Sequence, residues 1–226
     1  MGASGAGLDL GREGGLTGFH LETLSNAQRE VLCPLSEFAV SEGFYLGGGT
    51  AVALHLGHRR SADFAWFRPA DIEDPLVLAQ QIRGRGLVVE EVQVAAGTLH
   101  AVIAGGQVSF LVYPYGLLSA PHRWDDPPLA VASLEDLAPM KLAAVAQRGA
   151  RKDFVDLYAM ALQYRPLENL LALYRKKYSV ADVAHVLTAL TYFDSAEEEP
   201  PPTMLWDTSW ETVKRSFEEW VRSLAS

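Results

Sequence analysis

Apolar periodicity changes character near residue 133 of this 226-residue chain. Before that point the apolar runs are short and punctuated by glycine. Phe44-Tyr45-Leu46 runs into Gly47-Gly48-Gly49-Thr50, and the stretches 62–67, 87–94, 98–103 and 107–113 all have strand length. Gly105-Gly106, between the last two, is a hairpin signal. Beyond residue 133, apolar residues fit helices at 133–148, 152–163, 167–177, 182–192 and 210–224. A strand-rich half followed by an all-helical half predicts an α+β fold: a small mixed sheet with helices packed on it, then a helical C-terminal subdomain. The expected divisions are a flexible tail over 1–24, an α/β core over 25–128 and a helical subdomain over 129–226.

Local chemistry sharpens several boundaries. Ser25 and Gln28 have capping-box spacing before a helix of about 16 residues that contains Pro34. Gly57 should stop a short helix over 50–56, and Gly149 should break the helix that Ser133 and Asp136 begin. Asp74-Pro75 starts a helix ending near Gly84. The segment 114–128, rich in Pro and aromatic residues, reads as an irregular crossing loop.

Composition excludes several classes. Nineteen Lys and Arg against 28 Asp and Glu give a net charge of −9, which argues against coating nucleic acid through a bulk positive surface. A local basic pocket remains compatible with it. A single cysteine, Cys33, excludes an internal disulfide framework and is expected to be a small buried hydrophobe. No apolar run of membrane-spanning length occurs, and the glycine-rich start lacks the apolar stretch of a secretory signal. The expectation is an intracellular, cytoplasmic protein that does not use a membrane.

Three clusters could carry chemistry. Gly48, Gly49 and Thr50 sit between a strand and a helix, where backbone N–H groups can approach an anion, although the spacing is not that of a P-loop. Asp63 opens an apolar strand, and a second carboxylate two residues on would share its face and help hold Mg²⁺; that position is Ala65. Lys141 and Arg148 lie on one helical face, and Asp153 and Asp156 are neighbours on the next helix. Each has a plainer alternative: a tight turn, a strand-edge acid paired with Arg59 or Arg60, and a solvated salt-bridge lattice. The six histidines show no zinc-binding spacing, and no G-x-S-x-G elbow occurs.

Taken in order, these clusters resemble a known family. Gly48-Gly49-Thr50-Ala51, Leu56-Gly57-His58-Arg59 and Ser61-Ala62-Asp63-Phe64 are similar to the opening motifs of AbiEii/AbiGii-type nucleotidyltransferase toxins. Lys141-Leu142-Ala143-Ala144, Gln147-Arg148-Gly149 and Lys152-Asp153-Phe154-Val155-Asp156 resemble that family's second signature. The resemblance implies a polymerase-β-like nucleotidyltransferase fold and transfer of a nucleotide from a nucleoside triphosphate to an RNA or protein acceptor. It also implies Mg²⁺ and a toxin role beside a cognate antitoxin. By residue, it implies Gly48, Gly49, Thr50, Ser61 and Arg148 at the nucleotide and Asp63 as metal ligand. Catalysis would fall to Asp63, Lys141, Asp153 and Asp156.

Two positions depart from the pattern. Ala65 stands where the second acid of a D-x-D pair is expected, and Ser109 where related enzymes often place a third. The alternative reading is therefore a catalytically silent nucleotide- or partner-binding module. A tRNA-like acceptor would need a cationic surface, for which the candidates are His58-Arg59-Arg60, Arg83 with Arg85, and Arg175-Lys176-Lys177.

Overall fold

The computed structural model describes residues 18–125 and 128–224. The chain enters through a 3₁₀ turn (Leu21–Thr23), whose Thr23 and Leu24 are buried. Residues 18–24 are thus part of the packed structure, and the rest of the expected tail lies outside the described residues. Helix α1 (Asn26–Ser41) starts on the expected capping box, with Ser25 accepting from the Gln28 N–H and the Gln28 side chain accepting from Ser25. Cys33 is only half-buried on this helix, contrary to the expected core position, because it faces Glu37 rather than the apolar side.

Strand β1 (Tyr45–Gly47) leads directly into α2 (Gly48–Leu56), which Gly57 ends in a left-handed conformation. Strand β2 (Phe64–Arg68) returns antiparallel to β1. Helix α3 (Pro75–Gly84), capped by Asp74, precedes the antiparallel series β3 (Val89–Ala95), β4 (Thr98–Ile103) and β5 (Gly106–Val112). The segment expected to be an irregular loop contains β6 (His122–Asp125), which pairs with β7 (Pro128–Val131). The sheet order is β3-β4-β5-β2-β1-β7-β6, with β5 parallel to β2 and β7 parallel to β1. Because β7 belongs to the sheet, the expected division after residue 128 falls inside a strand.

Side chains alternate across the sheet with a period of two, and this builds two different faces. On one, Trp66 stacks on Phe110 while Phe38 and Phe44 meet Phe110 edge-on. On the other, Ala65, Phe67, Ser109, Leu111 and His100 line an open cleft.

The helical half contains α4 (Leu134–Arg148), α5 (Arg151–Gln163), α6 (Leu167–Tyr178), α7 (Ala184–Ala189), α8 (Asp194–Glu197) and α9 (Trp210–Leu224). Helix α7 is shorter than the expected 182–192. Phe217 of α9 packs edge-on against Phe154 of α5, which anchors the last helix. Between α8 and α9 an extended strap turns back to the first half: Arg60 N–H donates to Thr203, Arg59 bridges Met204, and the Leu205 and Trp206 N–H groups reach the His58 carbonyl. No described helix is long and apolar enough to cross a membrane.

Candidate nucleotide site

The cleft on the open face has a volume of about 900 Å³. The turn Gly48-Gly49 forms one part of its wall, Ser61, Asp63 and Ala65 a second, and Lys141, Arg148 and Lys152 a third. The strap residues 199–203 close one side.

The glycines answer to different demands. Gly48 has φ +64°, which L side chains seldom adopt. A Cβ on Gly49 would stand 2.3 Å from Nη2 of Arg59, so the guanidinium occupies the space of a missing side chain. Thr50 does not line the cleft. It is fully buried, bonded to Ser61 Oγ at 2.8 Å and donating to the Asp63 carbonyl, so it braces the turn against β2 instead of cradling an anion.

Behind the cleft lies a buried charge cluster. Asp156 accepts from Arg59 Nε at 2.6 Å, Arg59 Nη2 at 2.9 Å and His58 Nε2 at 2.8 Å, and pairs with Lys141 Nζ at 2.6 Å. Lys141 also donates to Asp153 at 2.7 Å, and Arg148 grips Asp153 with Nε and Nη2. Burial alone would raise both carboxyl pKa values. The charges of Arg59 and Lys141 hold Asp156 well below the ordinary range, and Lys141 with Arg148 lowers Asp153. Burial lowers His58, against the pull of Asp156. The imidazole is therefore neutral at pH 7 and donates from Nε2.

The outcome for the expected site residues is mixed. Gly48, Gly49, Ser61, Asp63, Lys141 and Arg148 converge on one cleft. Asp153 and Asp156 do not line it: both are fully buried, their oxygens taken up by cations. The lattice they form is buried at both carboxylates, Arg59 and Lys141, and only its Arg148 side chain is largely exposed. Asp63 pairs with neither Arg59 nor Arg60. It lies 3.5 Å from Lys152, with 47% of its side chain exposed. Three of the proposed acceptor-binding residues are corrected as well. His58 and Arg59 are buried on Asp156, and Lys177 is buried on Asp136 at 2.6 Å.

Sequence reasoning missed Lys152 and His100 as cleft residues and misread the role of Arg59. Nothing local marks Arg59 as buried, because its partner lies 97 residues away. Lys152 was visible only as part of the Lys152-Asp153 run. His100 faces the cleft from β4 and bonds Ser109 through Nδ1 at 2.7 Å.

Comparison with known proteins shows the family and the fold. The profile of the nucleotidyl transferase AbiEii toxin family, a type IV toxin–antitoxin system, matches residues 100–222, more than half of the chain. The uncharacterized protein aq_aa25 of Aquifex aeolicus is 34% identical over 204 residues, covering 89% of this chain and 98% of its own. MenT4, a nucleotidyltransferase toxin of Mycobacterium tuberculosis, shares the fold with a TM-score of 0.55 at 14% identity, over 87% of this chain and 85% of its own. A proposed nucleotidyltransferase from H. pylori does so with a TM-score of 0.53 at 14% identity, over 88% and 93%. On these matches, the chain belongs to the AbiEii nucleotidyltransferase toxin family.

Proposed function

We propose that the chain transfers a nucleotidyl group from a nucleoside triphosphate to an RNA or protein acceptor in the cytoplasm, under the restraint of a cognate antitoxin. The observation that carries this reading is the convergence on a single cleft of the Gly48-Gly49 turn, the half-exposed carboxylate of Asp63 and the cationic side chains of Lys141, Arg148 and Lys152, with Arg60 and Glu199 also lining it. The N–H groups at the start of α2 and the ends of Lys141, Arg148 and Lys152 offset phosphate charge from two sides. Asp153 and Asp156 act as positioning residues, fixing Lys141 and Arg148 where they are.

The donor set fits one Mg²⁺ arriving with its nucleotide, since this ion is commonly held by one or two carboxylates plus phosphate oxygens. It does not fit a pair of metals. Ala65 and Ser109 bring no carboxylate, and no cluster of three or more potential ligand side chains occurs among the described residues. When bound beside Asp63, the ion would supply charge stabilisation at the phosphates.

Lys152→Ala and Arg148→Ala are each expected to weaken nucleoside triphosphate binding roughly tenfold or more, the loss of a charge-assisted contact of about 1.5–3 kcal/mol. Isothermal titration calorimetry in Mg²⁺ measures this, and wild-type affinity in both variants would end the phosphate reading. The companion assay is labelled transfer from each nucleoside triphosphate to total RNA and protein.

Ala65 supports a second reading, nucleotide binding without transfer. Its side chain faces the cleft in register with Ser109, where a second acid would stand. Ala65→Asp restores that acid. The variant is expected to gain a Mg²⁺-dependent rise in melting temperature and faster transfer, while being less stable than wild type in chelator because two carboxylates repel. Thermal melts with and without Mg²⁺ test this. A variant that gains neither would show that position 65 is not beside a metal.

A further inference from the structure

Four strands place Gly47, Ala65, Ser109 and His100 in one continuous row. Gly47 pairs with Ala65, Ala65 with Ser109, and Ser109 with His100. Adjacent strands are about 4.8 Å apart, so the row runs about 10 Å from the strand that feeds the glycine turn to Ser109. A triphosphate anchored over Gly48 and Gly49 therefore extends toward β5 without leaving the cleft floor. Ala65, the residue crossed on the way, contributes only a methyl group.

Ser109 stands at the end of that path as half of a dyad. Its Oγ lies 2.7 Å from Nδ1 of His100, and both side chains line the cleft. A hydroxyl in direct hydrogen-bond contact with an imidazole nitrogen is the geometry by which a weak nucleophile is activated. His100 is exposed, so a proton it takes can pass to water.

We propose that Ser109 is a self-modification site at which the chain attaches a nucleotidyl group to its own cleft floor. Ser109 Oγ attacks the α-phosphorus of a bound nucleoside triphosphate. A new Oγ–P bond forms, the bond from that phosphorus to the bridging oxygen breaks, and pyrophosphate leaves. The hydroxyl proton goes to His100 Nδ1, and nothing is oxidised or reduced. The product, a nucleoside monophosphate on Ser109, fills the space beside Asp63 that a second triphosphate would need. This inference rests on the reading of the cleft as a triphosphate site.

The test incubates the full chain with each nucleoside triphosphate and Mg²⁺, followed by intact-mass and peptide mass spectrometry. The expected result is a gain of one nucleoside monophosphate, mapped to Ser109. Ser109→Ala, shown to be folded by circular dichroism, should gain none. His100→Ala should label about 10²–10⁴-fold more slowly, with added imidazole restoring the rate. A wild-type chain that binds triphosphate by calorimetry but gains no mass overturns the proposal and leaves the cleft reading standing. Label on another residue, or wild-type labelling by His100→Ala, also overturns it. A chain that binds no triphosphate ends both readings together.

Discussion

Asp156→Ala is expected to destabilise the fold by about 3–5 kcal/mol, the usual cost of removing one partner from a buried ion pair. Among the described residues, the carboxylate is the only acceptor holding the Arg59 Nε and Nη2 donors and the His58 Nε2 donor, and it takes one of two ion pairs made by Lys141. Its loss leaves a guanidinium, buried beneath Gly49, without a counter-charge. Lys141 keeps Asp153, so the damage centres on Arg59. Urea titration of the two chains measures the difference, and the pair that the exposed Glu211 makes with Lys214 serves as the control. Removing Glu211 should change little, because such pairs are screened by water. An Asp156→Ala chain as stable as wild type would mean that water reaches this cluster.

Acidification from pH 7 to pH 4 is expected to remove about 3 kcal/mol through His55 alone. Burial pulls its pKa from 6.5 down to about 4 while its ring bonds the Ala132 carbonyl at 2.8 Å. The unfolded chain takes up a proton as pH falls through about 6.5, whereas the folded chain resists until about pH 4. Stability is therefore full above pH 6.5, declines through the interval between the two values and then stops responding to this group. At about 1.4 kcal/mol per pH unit the interval gives the stated loss. His58, also lowered by burial, adds in the same direction. Asp153 and Asp156, both lowered, take effect only further down, where unfolded carboxyls protonate below about pH 4. Denaturation midpoints across this range should give a shallower slope for His55→Gln. An unchanged slope would assign the acid sensitivity elsewhere.

The features legible in the sequence were those decided within a few residues. The capping box at Ser25, the Asp74-Pro75 start and the stops at Gly57 and Gly149 all depend on hydrogen bonds or backbone angles that a short window contains. Strand β6 was hidden because, among the described residues, it pairs with β7 alone, and the adjoining prolines argue locally for a loop. The cleft was half legible. Gly48, Gly49, Asp63, Lys141 and Arg148 came together as expected, since each belongs to a motif with a fixed place on its element. Arg59 and Asp156 were misjudged because a charged side chain reads as exposed until its distant partner is known. Lys177 carried a usable signal: Leu170, Leu173 and Tyr174, its buried neighbours at helical spacing, put it on the inner face of α6, while Lys176 falls outside.

The strap from 199 to 206 has a consequence for synthesis. Residues 58–60 emerge from the ribosome early, but their hydrogen bonds come from Thr203, Leu205 and Trp206, and the counter-charge of Arg59 comes from Asp156. Contacts of such large sequence separation form late, after local helices and hairpins are already in place. The sheet can begin to assemble while translation continues, yet its cleft lacks both the cationic wall and the strap. A nascent chain of this family member is thus chemically unfinished until Asp156 and the strap have left the exit tunnel.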